Sequence, residues 1–165
     1  MVNRDFWLNN LERLWAKRPL IWLRGVRRVG KTVLVQNLPK IEYFDCELPR
    51  TRRLMEDPEE FLSALKGKRI ILDEVHRLSD PAELLKIAAD HFPSIKVIAT
   101  GSSSLQATAS FRDKLTGRKA ELWLTPMNSD DLNDFGNASL THRFLNGGLP
   151  LFFLTPERPE REFQE

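Results

Sequence analysis

The stretch GVRRVGKT, residues 25–32, matches the pattern G-x-x-x-x-G-K-[ST] and decides the fold that this sequence predicts. A bound triphosphate needs inward-pointing backbone N–H groups, one mobile cation and one hydroxyl for magnesium. Gly25 and Gly30 allow a tight turn in which the amides approach the phosphates. We expect Lys31 to reach the β- and γ-phosphates and Thr32 to join the magnesium shell. The candidate nucleotide contacts are Gly25, Val26, Arg27, Arg28, Val29, Gly30, Lys31, Thr32 and Val33.

The residues on both sides of this stretch favour a phosphate-binding loop over a chance match in a surface loop. The apolar run at 20–23 predicts a buried strand that enters the loop. Apolar residues then recur between Val33 and Leu38, which predicts a short helix whose N-terminal N–H groups face the same anion. Arg27 and Arg28 occupy variable positions of the pattern. They are either solvated cations or contacts to phosphate or to a neighbouring subunit.

A second motif, RIILDEVHRL at residues 69–78, supplies the carboxylates that a magnesium-nucleotide site needs. The apolar run at 70–72 predicts a strand, and Asp73 stands at its carboxyl end, where open α/β sheets bind ligands. We assign Asp73 to magnesium and Glu74 to polarising the attacking water. For this Asp-Glu pair taken alone, the alternative is a solvated loop.

A third apolar run, residues 95–99, leads into a turn that contains Gly101 and three serines. A hydroxyl at this strand end would contact the γ-phosphate or the attacking water. Ser102 is the first candidate and Ser103 the second. Ordinary turn chemistry explains the same residues equally well.

The remaining segments alternate between predicted helices and strands. A helix is predicted at 5–17, and further strands at 42–47 and 121–124. Helix starts are predicted at Asp57, Asp80 and Ser129. The arginines at 50, 52 and 53 are interpreted as a solvated loop, with a contact to nucleic acid or to an acidic neighbour as the alternative. The alternation predicts a parallel sheet with helices on both faces.

The composition is typical of a single globular domain, with 41% hydrophobic and 29% charged residues in a chain of 165. A formal net charge of +2 is too small to indicate nucleic-acid or membrane binding. Nucleic acid is therefore a possible partner that the composition does not support. The single cysteine, Cys46, excludes an internal disulfide and is predicted to be buried. No apolar run is long enough to span a bilayer and no signal-peptide core is visible, so we expect a cytoplasmic location without membrane contact.

Five stretches resemble, in order, the AAA+-type P-loop ATPases, and specifically a prokaryotic group that carries a C-terminal domain of unknown function. They are RDFWLNNLERLWAKRPLIWLRGVRRVGKT, RIILDEVHRL, VIATGSSSL, LTGRKAELWLTPMN and LNGGLPLF. The resemblance covers residues 4–153 and implies a three-layer α/β sandwich, a five-stranded, mostly parallel sheet with helices on both faces. It also implies an ATPase core with an N-terminal helix at 1–150 and, at 151–165, the stub of a missing C-terminal region.

The same resemblance implies roles for single residues. It places an additional strand between the loop-bearing strand and the Asp73 strand, and it places Ser102 or Ser103 at a sensor position. Arg118 looks like the arginine that precedes the last strand and acts as a finger or sensor, although a surface arginine explains it equally well. Relatives often form rings, so a homo-oligomer is a further expected partner, whereas neither a helical lid nor a second-sensor arginine is identified.

Two functional hypotheses follow from these residues. In the first, the chain binds ATP and Mg²⁺ and hydrolyses ATP to drive or gate the missing C-terminal domain, with Glu74, Lys31, Ser102 and Arg118 as the catalytic set. In the second, it is a slow nucleotide-gated switch or binding module, in one version associated with DNA. A nucleotide kinase would need an arginine-bearing lid and a GTPase an Asn-Lys-x-Asp segment, and neither is found.

Overall fold

Strands alternate with helices along the computed structural model, which describes residues 2–101 and 109–154. The strands in these ranges are β1 (Leu20–Arg24), β2 (Ile41–Asp45), β3 (Arg69–Asp73), β4 (Lys96–Thr100) and β5 (Lys119–Trp123). The helices are α1 (Asp5–Trp15), α2 (Lys31–Gln36), α3 (Pro49–Leu54), α4 (Pro58–Ser63), α5 (Pro81–His91), α6 (Ala109–Leu115), α7 (Ser129–Asp134), α8 (Leu140–Asn146) and α9 (Pro150–Leu154). A short 3-10 helix, Val75–Arg77, follows β3.

The five strands form one sheet in the order β2-β3-β4-β1-β5, and every pairing is parallel. The strand β4 lies between β1, which bears the loop, and β3, which ends at Asp73. This confirms the inserted strand and the five-stranded α/β fold that the resemblance implies. Because the strands are parallel, their carboxyl ends meet at one edge of the sheet, here called the carboxyl edge, and their starts at the opposite amino edge.

Helices cover both faces of the sheet, which explains why the central strands β1, β3 and β4 are buried apolar runs instead of alternating patterns. In β1, Leu20 and Trp22 belong to the core on one face, whereas Ile21 and Leu23 belong to the core on the other. The helices α4, α5 and α6 contribute to the first core, and α1 and α2 to the second. In the part of the chain that the structure describes, no helix has the length and apolar character needed to cross a bilayer.

The arginine-rich stretch at 50–53, interpreted as a loop from sequence, lies in the helix α3 instead. Pro49 fits the first turn of a helix, where no N–H is needed. The guanidinium of Arg52 donates to the carbonyl oxygens of Cys46 at 3.2 Å and Glu47 at 2.6 Å, which ties the helix back to the end of β2. Cys46 is fully buried, as the sequence predicts.

Side-chain caps define several helix starts. Asp57 and Asp80 accept hydrogen bonds from backbone N–H groups three residues on, as predicted, at 3.0 and 2.9 Å. The cap of α7 is Asn128 and not Ser129. The Asn128 side chain accepts from the Asp131 N–H, and the Asp131 carboxylate accepts from the Asn128 N–H, both at 2.9 Å.

The C-terminal helices α7 to α9 pack on a small core of their own. Phe153 is 3% exposed and packs with Met127 and Leu132. Leu151 and Leu154, on the same helix, are 46% and 56% exposed. The apolar side chains of α9 are therefore divided, with these two leucines at the surface and Phe153 in the small core.

Candidate functional site

The loop predicted to bind phosphate leaves the carboxyl end of β1 and enters α2. Gly30 has φ 91°, a left-handed conformation that residues with a Cβ rarely adopt. At Gly25, a Cβ would lie 2.6 Å from the carbonyl oxygen of Leu124. Glycine is therefore required at the two positions for different reasons. Gly30 turns the backbone, whereas Gly25 lets the residue after β5 pack directly against the loop.

Lys31 and Thr32 open α2 and make contacts in two directions. The Nζ atom of Lys31 donates to the carbonyl oxygens of Gly25 at 3.0 Å and Val26 at 3.2 Å, so the ammonium lies over the start of the loop. The hydroxyl of Thr32 donates to Asp73 Oδ2 at 2.8 Å. This hydrogen bond joins the two sequence motifs at the carboxyl edge.

Asp73 ends β3 and is only 4% exposed. Its Oδ2 atom accepts from Thr32 and, at 2.6 Å, from the hydroxyl of Tyr43, while its Oδ1 atom accepts from the hydroxyl of Thr100. Tyr43 belongs to β2 and Thr100 to β4, the two neighbours of β3 in the sheet. Hydroxyls from both flanking strands therefore fix the orientation of this carboxylate.

Tyr43 and Thr100 are absent from the residues that the sequence predicts for the site. Burial raises the pKa of Tyr43, and the hydrogen bond to Asp73 and the charge of that carboxylate raise it further, so the phenol stays protonated and donates. In the register, Tyr43 lies opposite Ile71, two residues before Asp73. Finding it would have required knowing that β2 and β3 are neighbours.

Glu74 has a backbone conformation that aims its side chain at the cleft. Its φ of 55° is left-handed, which is uncommon for a residue with a Cβ and concentrates at functional sites. Its N–H donates to the Thr100 hydroxyl at 3.0 Å. A Glu74 carboxylate oxygen lies 3.1 Å from His76 Nδ1, a close approach without hydrogen-bond geometry. The carboxylate side chain is 35% exposed and so accessible to water.

Two cavities, each of about 550 Å³, flank the loop, and Arg27, Lys31 and Glu74 line both of them. The first cavity, here called the polar cavity, also includes Glu47, His76 and Arg77. The second, here called the apolar cavity, has a wall built by Val2, Val33, Phe135, Pro150, Leu151 and Leu154. The loop thus lies between two cavities that share Arg27, Lys31 and Glu74, and the second cavity differs by its apolar wall.

Other predicted loop contacts differ in exposure. Arg27 and Val33 are exposed, and Arg28 has a left-handed φ of 65°. Val29 is fully buried in the core on the α1 face, so only its backbone is available to a ligand.

The structure does not bring Arg118 to this site within one chain. Arg118 precedes β5 at the amino edge, and its guanidinium donates to Asp90 Oδ1 at 2.7 Å and to the Lys114 carbonyl at 3.1 Å. The loop lies at the carboxyl edge, about five strand residues away, or roughly 16 Å. The sensor candidates Ser102 and Ser103 lie outside the described residues.

The comparison with protein families agrees with this geometry. A model described as an AAA domain matches residues 17–133. The chain belongs to the AAA domain family. Membership supports nucleotide binding and ATPase activity for this AAA domain. No curated protein matches the chain significantly.

Solved structures share the fold of this AAA domain. A Walker-type ATPase of Pyrococcus abyssi has a TM-score of 0.61 and 19% identity, over 94% of this chain and 66% of that one. The ORC1 protein of Aeropyrum pernix in complex with DNA has a TM-score of 0.57 and 18% identity, over 81% and 48%. A signal transduction ATPase with a tetratricopeptide repeat sensor from Pyrococcus horikoshii has 0.58 and 15%, over 93% and 29%. This AAA domain spans less than two thirds of each of these chains.

Proposed function

We propose that this AAA domain binds ATP together with Mg²⁺ and hydrolyses it by attack of water on the γ-phosphate. The observation that carries the proposal is the 2.8 Å hydrogen bond between Thr32 and Asp73. It places a hydroxyl and a carboxylate side by side, next to Lys31 and Glu74. Hydroxyl and carboxylate oxygens are the ligands that Mg²⁺ prefers, so these residues fit the ion.

The charged groups divide the work of hydrolysis. Mg²⁺, when bound, neutralises charge on the β- and γ-phosphates. Lys31 adds a second positive charge there, because its ammonium already lies over the loop. Asp73 is the buried partner of Thr32, and Glu74 is the more accessible carboxylate, so Glu74 orients the attacking water and accepts its proton.

The apolar cavity is the proposed place for the nucleobase. It begins at the crest of the loop, between Arg28, Gly30 and Thr32, and its far wall is apolar. Its volume of about 550 Å³ is suitable for a ligand of nucleotide size. A base in this cavity would contact Pro150 and Leu151, which open α9.

That contact favours a second candidate function, a slow nucleotide-gated switch. Because α9 forms part of the cavity wall, an occupied cavity would hold α9 in place and transmit the bound state to whatever chain follows it. Driving or gating a C-terminal domain, as in the prokaryotic group named above, is the corresponding proposal for the ATPase. Both functions share the same binding site and differ only in turnover.

The proposed roles of the sensor serine and of Arg118 depend on contacts other than those of the site within one chain. Ser102, or Ser103 in its place, would sense the γ-phosphate from the turn after β4. Arg118 pairs with Asp90 at the amino edge, so as a finger it would have to act on a neighbouring copy in an oligomer.

Calorimetry and a phosphate-release assay test the proposal and separate its two versions. We expect ATP to bind more tightly in the presence of Mg²⁺ than in its absence, and more tightly than GTP. Steady phosphate release identifies the ATPase, and tight binding with negligible release identifies the switch. Absence of ATP binding at millimolar concentration would overturn both.

A further inference from the structure

Beneath the loop lies a buried ion pair that neither sequence motif includes. The guanidinium of Arg4 binds the Asp131 carboxylate through two hydrogen bonds, from Nε to Oδ1 and from Nη2 to Oδ2, both at 2.7 Å. Arg4 is 4% exposed and Asp131 is fully buried. Paired, parallel hydrogen bonds of this kind fix the guanidinium in one orientation.

Two further N–H groups of Arg4 reach backbone carbonyls. Its Nη1 atom donates to the Val29 carbonyl oxygen at 3.0 Å, and its Nη2 atom reaches the Thr125 carbonyl at 3.3 Å. Val29 immediately precedes Gly30 and Lys31, the residues on which phosphate binding depends. Arg4 therefore holds the loop backbone directly, one residue before its left-handed turn.

Asp131 is in turn held by two further donors. The indole N–H of Trp7 donates to its Oδ2 atom at 3.1 Å, and the Asn128 N–H donates to the same atom at 2.9 Å. Burial, the largest influence on the pKa of Asp131, acts to raise it. The hydrogen bonds from Arg4, Asn128 and Trp7 and the charge of Arg4 outweigh burial, so this pKa lies below its ordinary value.

The cluster joins segments that are far apart in the sequence. Arg4 and Asp131 are 127 positions apart, and Val29 lies 25 positions from Arg4. Stability alone explains such a pair poorly, because well-packed apolar residues of the same size do equally well in protein interiors. A fixed guanidinium aimed at a loop carbonyl does something that apolar packing cannot, since it sets the position of one backbone group.

We propose that Arg4 is a positioning residue for the phosphate-binding loop, and that Asp131 holds Arg4 and thereby links the loop to α7. The link runs from the Val29 carbonyl through the guanidinium to the carboxylate, and through Asn128 to the start of α7. It deepens the proposed function and rests on it, since it adds a route from the phosphates to the C-terminal helices. Nucleotide binding would then stabilise α7 as well as the loop.

The test compares Arg4→Lys with Arg69→Lys. Arg69 also makes two hydrogen bonds from its guanidinium to a single carboxylate, that of Glu12 in α1, but at the amino edge. A lysine keeps the charge but cannot hold the carboxylate and the Val29 carbonyl together. We expect Arg4→Lys to raise the Kd for MgATP about 10-fold, roughly the loss of one charge-assisted hydrogen bond, and Arg69→Lys to leave the Kd unchanged.

A control inside the cluster separates positioning from general destabilisation. Trp7→Phe removes the indole hydrogen bond to Asp131 and leaves Arg4 on the Val29 carbonyl. We expect it to lower the melting temperature while the Kd of the folded protein stays within about 2-fold. If Arg4→Lys and Trp7→Phe lose melting temperature and affinity in the same proportion, the cluster is merely structural and the proposal is wrong.

Hydrogen exchange of the loop amides tests the same proposal without a nucleotide. Exchange at Gly30 and Lys31 should be faster in Arg4→Lys and in Asp131→Asn than in the wild type or in Arg69→Lys. Unchanged loop exchange in a folded Arg4→Lys would overturn the positioning role. If the wild type binds no ATP and loop exchange is still faster in Arg4→Lys than in the wild type, the positioning role is retained and the nucleotide site is rejected.

Discussion

The two edges of the sheet carry similar charged residues, but these residues differ in burial and in the kind of group they contact. At the amino edge, Arg118 pairs with Asp90 and Arg69 with Glu12, with side chains roughly a third or more exposed. At the carboxyl edge, Asp73 is 4% exposed and accepts from three hydroxyls.

The difference shows which charges are organised for chemistry. Exposed ion pairs are screened by water and contribute about 0–1 kcal/mol each. A buried carboxylate that binds only neutral hydroxyls keeps its negative charge uncompensated, so it attracts a cation. The carboxyl edge is the proposed site because Asp73 and Lys31 are oriented there by neutral groups, whereas the charges named at the amino edge are already neutralised by each other.

Of the substitutions that test this difference between the edges, Lys31→Ala should have the largest effect on nucleotide affinity. It removes the ammonium that lies over the loop, and we expect MgATP affinity to fall by about 100-fold or more, the loss of roughly 3 kcal/mol of charge-assisted contacts. Calorimetry gives the Kd. The matched control is Lys68→Ala, which removes an exposed lysine paired with Glu42 at the amino edge. Equal Kd values for the two variants would contradict the assignment of the loop.

Glu74→Gln should separate binding from hydrolysis. The amide cannot accept the proton of the attacking water, so we expect kcat to fall about 100-fold while the Kd for ATP stays unchanged. Phosphate release under saturating MgATP measures kcat. Glu42→Gln, at the edge strand β2, is the control and should keep full turnover. If Glu74→Gln turns over ATP like the wild type, another group activates the water.

Tyr43→Phe should have an intermediate effect that depends on the metal. Losing the hydroxyl frees Asp73 to rotate, and outer partners of metal ligands are commonly worth about 10-fold in metal affinity. We expect the Mg²⁺ concentration for half-maximal ATP binding to rise by about that factor. Binding of ATP in the presence of a chelator should not change. An unaltered Mg²⁺ titration would show that Thr32 and Thr100 suffice to orient the carboxylate.

Acid should weaken the buried ion pair, and a variant can isolate that loss. The pKa of Asp131 lies below its ordinary value of about 4, so its stabilising effect is complete above that pH and is lost as the pH falls through the folded-state pKa. Arg4 is the charged group that faces it. Urea unfolding from about pH 6 to about pH 3 should show the wild type and Asp131→Asn converging. A constant difference in unfolding free energy would contradict this linkage.

Arg69→Met should have the smallest effect of the series. It removes a partly exposed ion pair with Glu12 at the amino edge, and we expect a loss of less than about 1 kcal/mol in the free energy of unfolding. Chemical denaturation measures this loss. The Kd for MgATP should equal that of the wild type. A change in nucleotide affinity would mean that the two edges are coupled through the sheet.

Local patterns in the sequence predicted the elements that nucleotide binding uses. The apolar run at 20–23, the GVRRVGKT loop and the Asp73 strand end are each contained in a few neighbouring residues, and all lie where predicted. The α3 helix was missed because its arginines suggested a solvated loop, whereas Pro49 and the Arg52 contacts to the end of β2 support a helix.

The sequence alone determined a parallel α/β sheet, a tight turn at the two loop glycines and a carboxylate at the end of a strand, because backbone geometry and alternation depend on neighbouring residues. Only the tertiary structure decided that Tyr43 and Thr100 orient Asp73, and that Arg4 holds the loop through Val29. These contacts cross between segments that the sequence separates by many residues. Strand order and helix packing bring these segments together, and no single local stretch of sequence encodes the strand order or the packing.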